Sequence, residues 1–296
     1  MSLPPGRPKE GSALQAAASR DGAQRKGAPM SEPDTWADLR AHTAARIALG
    51  RSGSSLPTVE VLRFGLAHAQ ARDAVQRELD VATLARRLEP LQLPILTVAS
   101  AARDRTEFLL RPDLGRRLAD GSRTLLAGSR SAGFDALARP CPGLVPVIGD
   151  GLSAPAIERN VVPMLAALQA TAPADWRIGP LVIATQARVA IGDEIGDLLG
   201  ALLVAVLIGE RPGLSSPDSL GIYLTWQPRV GRSDAERNCI SNIRPEGLGY
   251  EAAARRFWWL CTQARQLQLT GVQLKDRSDE PALTVRDPGM PVIDGG

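Results

Sequence analysis

The apolar positions of this chain change their period about halfway along it. From Trp36 to about Leu126 they recur at mostly helical spacing. A helix start is legible at Leu56-Pro57-Thr58, with Glu60 as its first-turn acid, and Val61, Leu62, Leu66, Ala69 and Val75 then fall on one face, predicted to be buried. After Pro140, short apolar runs alternate with helical ones: strands over 143–148, 180–184, 202–208 and 220–226, helices over 154–170 and 193–200. That rhythm predicts βαβ units. The expected fold is α/β, a Rossmann-like, mainly parallel sheet with flanking helices, preceded by an N-terminal helical region. An amphipathic helix over 250–268 closes the pattern, with Phe257, Trp258, Leu260, Cys261 and Ala264 toward the core. Trp258 and Trp259 are neighbours and cannot both face inward, so one lies at a seam or on a partner. The chain therefore divides into a disordered tail (1–33, with Met30 as an alternative start), a helical region (34–135), an α/β domain (136–275) and a second disordered tail (276–296).

Charge changes this picture little. The net +3 sits entirely in residues 1–30, which hold five basic and two acidic residues, so the remainder is neutral. A neutral body with 4% aromatic residues lacks the electrostatic footprint and the stacking platforms of a nucleic-acid binder. The longest apolar run, 198–208, is eleven residues, against the roughly 20 needed to cross a bilayer. No secretory leader is legible, and the three cysteines (Cys141, Cys239, Cys261) form no CxxC, so neither a disulfide framework nor a structural zinc site is expected, and the compartment reads as reducing. Lysines are limited to Lys9, Lys26 and Lys275, which leaves little room for Schiff-base chemistry.

Two motifs invite enzymatic readings and fail on their neighbours. Gly149-Asp150-Gly151-Leu152-Ser153-Ala154 spells GxGxxA between a strand and a helix, but Asp150 sets a carboxylate where a pyrophosphate would lie. The next strand ends in Thr185-Gln186, without the acid that binds ribose hydroxyls. Ser153 reads instead as a helix cap, with Asp150 near the ligand at most. As a nucleophile elbow the same stretch lacks its second glycine, since Pro155 stands there, and the two histidines, His42 and His68, both lie in the helical half. The chain carries no HExxH, no His/Cys cluster and no DxHxxG of a His-ligated corrinoid carrier.

The run from Val204 to Leu248 is different. A buried-strand pattern passes into GERPGL, then SPDSL, RNCISNI and PEGL, a glycine- and proline-rich loop with one carboxylate, Glu210, and an irregular segment around Cys239. In this order these motifs resemble the small chain of ethanolamine ammonia-lyase, an adenosylcobalamin-dependent bacterial enzyme. The similarity extends from about Asp38 to Asp276 through TAARIALGRSGSSLPT, RPDLGRRL, DGLSAPAIERN and GDEIGDLLGA, with Ala187 where the family often has glycine.

The resemblance implies an obligate hetero-oligomer with a large barrel subunit that holds the substrate, the two converting ethanolamine to acetaldehyde and ammonia by radical chemistry. It implies a cytoplasmic enzyme, with packaging in a bacterial microcompartment as an option. It also implies cofactor contacts from Val189, Glu210 and Cys239 and no catalytic residue in this chain. Read on their own, Glu210 suits a salt bridge with Arg211 or Arg229, Val189 suits core packing, and Cys239 suits a small buried residue. The rivals are a stand-alone α/β cobalamin- or nucleotide-binding module without lyase activity, and a scaffold that binds no corrin.

Overall fold

The computed structural model describes residues 37–40, 42–43, 45–131 and 143–278. The predicted tail 1–33, Met30, Cys141 and residues 279–296 lie outside them. The chain divides into two units, 1–49 and 50–296. In the first, the described residues form one short helix, α1 (Ala37–Arg40), with the His42 amide bonded to the Leu39 carbonyl.

The second unit is built on one sheet. Its strands are β1 (Ile95–Ala99), β2 (Gly143–Gly149), β3 (Arg177–Ile178), β4 (Leu181–Thr185), β5 (Leu203–Gly209), β6 (Leu220–Trp226) and β7 (Arg237–Ile243). Its helices are α2 (Thr58–Gln76), α3 (Val81–Leu88), α4 (Arg105–Leu110), α5 (Asp120–Ser131), α6 (Ala154–Ala170), α7 (Ile191–Leu199) and α8 (Tyr250–Leu267). The sheet order is β1-β4-β2-β5-β6-β7, with β3 on β2. β1, β4, β2 and β5 run parallel, whereas β6 and β7 are antiparallel to their neighbours. The sheet is thus mixed over a parallel centre. Reversal follows from the connections: residues 210–219 and 227–233 form no helix, and a parallel return needs a crossover of a dozen residues or more.

Two departures from the sequence pattern matter for function. Cys239 lies inside β7, a regular strand, and not in an irregular segment. On α2, Val61, Leu62 and Leu66 are 53%, 68% and 59% exposed, Ala69 and Val75 are only partly covered, and the buried residues are Ala67 and Ala74. Its buried face is thus made by small side chains, while Val61, Leu62 and Leu66 stand more than half exposed. The half expected to be helical also supplies a strand, β1, paired with β4.

The core has two layers, one on each face of the sheet. Leu144, Ile148, Leu207, Ile222, Leu224 and Ile240 pack against α6 and α8; Val145, Val147, Val204, Val206 and Ile208 pack against α7 and Leu126 of α5. The predicted inner face of α8 (Phe257, Trp258, Leu260, Cys261, Ala264) is buried, the Trp258 indole donating to the Leu168 carbonyl at 3.0 Å, while Trp259 is partly exposed. α7 lies close on β5 because Gly192 and Gly196 carry no side chains. A Cβ on Gly192 would stand 2.4 Å from Val206 Cγ2.

Candidate functional site at the carboxyl edge of the sheet

Strand β4 ends at Thr185, and the chain turns through Gln186, whose φ of +55° is a left-handed conformation uncommon outside glycine. Ala187 follows, buried, its amide bonded to Asp150 Oδ1 at 2.8 Å; then come Arg188 and Val189 at the entrance to α7. The Arg188 amide is fixed at 2.8 Å from the Gly115 carbonyl. Val189 packs on the same hydrophobic layer as Tyr223 of β6.

Glu210 stands one residue past β5, its amide donating to the Ser219 carbonyl at 2.9 Å and so extending the β5–β6 ladder. Its Oε2 accepts from the Ser219 hydroxyl and from the Asn242 amide, the latter at 3.3 Å. Gly221 makes room for it, since a Cβ there would lie 2.8 Å from Glu210 Oε1. Among the described residues Glu210 forms no ion pair with Arg211, Arg229 or any other cation. Its Oε1 is left without a hydrogen-bond donor there.

Cys239 sits across from Tyr223 in the β6–β7 ladder, its sulfur 3.2 Å from the Ser241 hydroxyl. The residue is exposed, yet its sulfur lies against the Tyr223 side chain, and desolvation there, with the Glu210 charge nearby, pushes the thiol pKa up. Desolvation first, and then Cys239 and Glu210, raise Tyr223 well above the ordinary phenol value. Both groups are therefore neutral at physiological pH.

The structure thus gathers Glu210 and Cys239 around Tyr223, and places Val189 on the same side of the sheet. The strands leading to Val189 and holding Cys239, β4 and β7, are four strand spacings apart, about 19 Å. A single molecule touching both is large. The face presents one carboxylate oxygen as acceptor, neutral hydroxyl and thiol groups, and apolar surface. Its thiol is held protonated by desolvation.

Tyr223, Ser219 and Asn242 were not singled out by the sequence. The period-two pattern of β6 carried the signal for Tyr223, since it alternates with Ile222 and Leu224, which face the other layer.

The two rejected motifs are resolved structurally. Asp150 is 2% exposed and accepts from Arg105 Nη1 at 3.0 Å, so its carboxylate belongs to the interior and not to a ligand. Gly151 is needed at φ +56° because a Cβ would stand 2.3 Å from the Gly209 carbonyl oxygen, a strand-packing requirement in place of a pyrophosphate. Ser153 caps α6, accepting from the Ala156 amide at 3.2 Å and donating to the Pro217 carbonyl at 2.7 Å. A cleft of about 460 Å³ adjoins the Glu210 loop through Asp218 and Arg244 and is walled by Arg77 and Arg159. Val189, Glu210 and Cys239 do not line it.

The fold is that of an α/β protein with a mixed seven-stranded sheet and flanking helices, with Glu210, Tyr223 and Cys239 grouped at one end of it. Residues 33–275 match the family model "Ethanolamine ammonia-lyase light chain (EutC)". The chain is 52% identical over 260 residues to an ethanolamine ammonia-lyase small subunit of Xanthomonas campestris pv. campestris, covering 86% of this chain and 93% of the relative. Corresponding proteins of Pseudomonas fluorescens (51% over 259 residues; 86% and 92%) and Pseudomonas aeruginosa (50% over 254 residues; 86% and 91%) are similar to it. The chain belongs to the ethanolamine ammonia-lyase light-chain family.

Proposed function

We propose that the chain works as the small subunit of ethanolamine ammonia-lyase, a carbon–nitrogen lyase, forming acetaldehyde and ammonia from ethanolamine only when joined to a large subunit. In this reading it closes one side of an adenosylcobalamin site with Val189, Glu210 and Cys239. The observation that carries the subunit assignment is the family match over 33–275. The cofactor assignment rests on the chemistry of the open face. A corrin is a broad ring rimmed by neutral amides, and the face offers a free carboxylate acceptor at Glu210 Oε1, neutral Tyr223 and Cys239, and apolar Val189. These residues suit that group. When bound, the cofactor supplies the radical chemistry.

The residues of this chain then bind, orient and cover. Glu210, held by Ser219 and Asn242, accepts from a corrin amide without having to be ordered first, which lowers the entropic cost of binding. Val189 supplies contact surface, and Cys239 a small polarizable surface against the ring edge.

A large-subunit partner accounts for the unburied half of α2. Leu56, Val59, Val61, Leu62, Phe64 and Leu66 are 45–68% exposed over eleven residues. Clustered exposure of this kind marks an interaction surface. Gln70 and Asp73 of the same helix, and Arg77 just after it, line the cleft that adjoins the Glu210 loop. The setting proposed is cytoplasmic; among the described residues no helix is long and apolar enough to cross a membrane.

Titrating adenosylcobalamin by its visible spectrum into the small chain, the large chain and their mixture tests this reading. Saturable binding is expected for the mixture and at most weak binding for this chain alone. Equal tight binding by the isolated chain would favour a stand-alone cobalamin-binding module.

A further inference from the structure

The motif RPDLGRRL and the residue before Val189 have so far no role in the site, and the structure joins them. The guanidinium carbons of Arg105 and Arg188 lie 4.7 and 4.4 Å from the centre of the Phe108 ring. Gly115 of that motif presses on both Phe108 and Arg188. A Cβ at 115 would stand 2.9 Å from Arg188 Cγ and from two Phe108 ring carbons, so only glycine leaves space for the stack. Arg188 is thus clamped through its backbone, its aliphatic stem and its guanidinium face.

The charges in this cluster do not balance. Asp150 is the carboxylate in contact, and it is committed to Arg105 at 3.0 Å and to the Ala187 amide at 2.8 Å. Glu78 acts on Arg105 only through space. Among the described residues Arg188 has no ion pair and no side-chain hydrogen bond, and its Nε is buried without an acceptor, as is Arg105 Nη2. Burial and the nearby Arg105 and Arg116 depress the pKa of Arg188, yet an arginine stays charged. A partly buried, immobilised and unpaired guanidinium next to Val189 is costly unless an anionic oxygen completes it.

We propose that Arg188 is an anion-binding residue of the cofactor face and takes the phosphodiester of the cobalamin nucleotide loop. This rests on the cobalamin reading above. Cobalamin is neutral along its amide rim and carries its one fixed anionic group in that loop. Donation from the terminal guanidinium nitrogens to a phosphate oxygen suits a group that Phe108 and Gly115 already hold in place.

The test uses the assembled two-chain enzyme and three adenosyl corrinoids. Adenosylcobalamin has phosphate and base, adenosylcobinamide phosphate has phosphate without base, and adenosylcobinamide has neither. Arg188→Gln is expected to weaken the first two by about 10- to 150-fold and to leave adenosylcobinamide within about 2-fold. Arg188→Lys, which keeps charge and stem, is expected to show a smaller loss with the same ligand order, and it serves if the glutamine variant fails to assemble. Equal weakening of all three corrinoids, or weakened assembly with the large chain and no ligand dependence, would overturn the proposal, the latter by pointing to a partner carboxylate. Wild-type enzyme that binds none of the three would instead overturn the cobalamin reading itself.

Discussion

The Asp193 carboxylate receives both terminal nitrogens of Arg237, at 2.6 and 2.7 Å, with the two side chains 3% and 2% exposed. Arg237 also donates to the Thr225 hydroxyl at 2.9 Å. Asp193 lies one turn past Val189 on α7, and Arg237 lies two residues before Cys239 on β7. One buried, bidentate contact therefore sets the spacing between the two ends of the candidate cofactor face.

Asp193→Asn should consequently affect stability and binding together. Removing one partner of a buried pair costs about 3–5 kcal/mol, or about 6–20 °C in Tm for a chain of this size, and the exposed Asp234, 3.3 Å from Arg237 Nε, places the effect toward the lower end. Scanning calorimetry reads the first effect, and cobalamin titration of the assembled enzyme below the transition reads the second. A full loss of stability with wild-type cofactor affinity would show that the pair holds the fold without positioning the site.

Glu210→Gln should reverse that balance. The side chain is anchored by Ser219 and Asn242 through Oε2, and the amide can keep those contacts while its nitrogen replaces the free acceptor Oε1. Loss of a charge-assisted hydrogen bond predicts about 1.5–3 kcal/mol, or 10- to 150-fold weaker cobalamin binding, with Tm nearly unchanged. Unchanged affinity with a clearly lowered Tm would make Glu210 a loop-stabilising residue only.

The turn that delivers β7 predicts an acid-dependent contribution. Glu236 accepts from the Ser233 amide and hydroxyl and from Arg232, and these bonds, the Ser233 amide first, lower its pKa from 4.5 to about 2. A carboxylate whose folded pKa is depressed stabilises the fold above its unfolded value, and that contribution is lost as pH falls through the folded one. Glu236→Ala should therefore lower Tm at pH 6, with the difference from wild type shrinking between about pH 4.5 and pH 2. A pH-independent difference would mean that packing, and not the charge, matters there.

Leu62→Lys with Leu66→Lys should leave the Tm of the isolated chain within about 2 °C, because both side chains are more than half exposed. Burying a leucine contributes about 1.5–3 kcal/mol, so association with the large chain should weaken by at least tenfold. Sedimentation of mixtures reads the loss, and undiminished association would remove α2 from the proposed interface.

Most of the parallel centre was legible in the sequence because each element there is governed locally. VAVLIG is a buried strand by composition, and Ser153 marks the start of α6 by its capping chemistry. Strand β7 was not legible. Its apolar residues, Ile240 and Ile243, break the alternation because the β6–β7 ladder has an irregularity near Leu220–Ile222, and its buried Arg237 is stabilised by a partner forty-four residues away. The antiparallel edge was missed although the helix-free loop 210–219 implied it. Likewise a hydrophobic face on α2 reads the same whether its own core or another chain covers it. Of the site, Val189, Glu210 and Cys239 are all expected in loops after strands; Val189 and Glu210 lie there, whereas Cys239 lies within β7, and its grouping with Tyr223 needed the ladder register.

In the proposed enzyme this chain contributes a cofactor-facing surface and a partner chain contributes the substrate site. Combining purified small and large chains with adenosylcobalamin and ethanolamine, and measuring acetaldehyde with an alcohol dehydrogenase couple, separates the two contributions. Turnover is expected only when both chains are present, with the rate saturating as this chain is titrated in. Acetaldehyde formation by this chain alone, or by the large chain at an undiminished rate without it, would show that the work is not divided in this way.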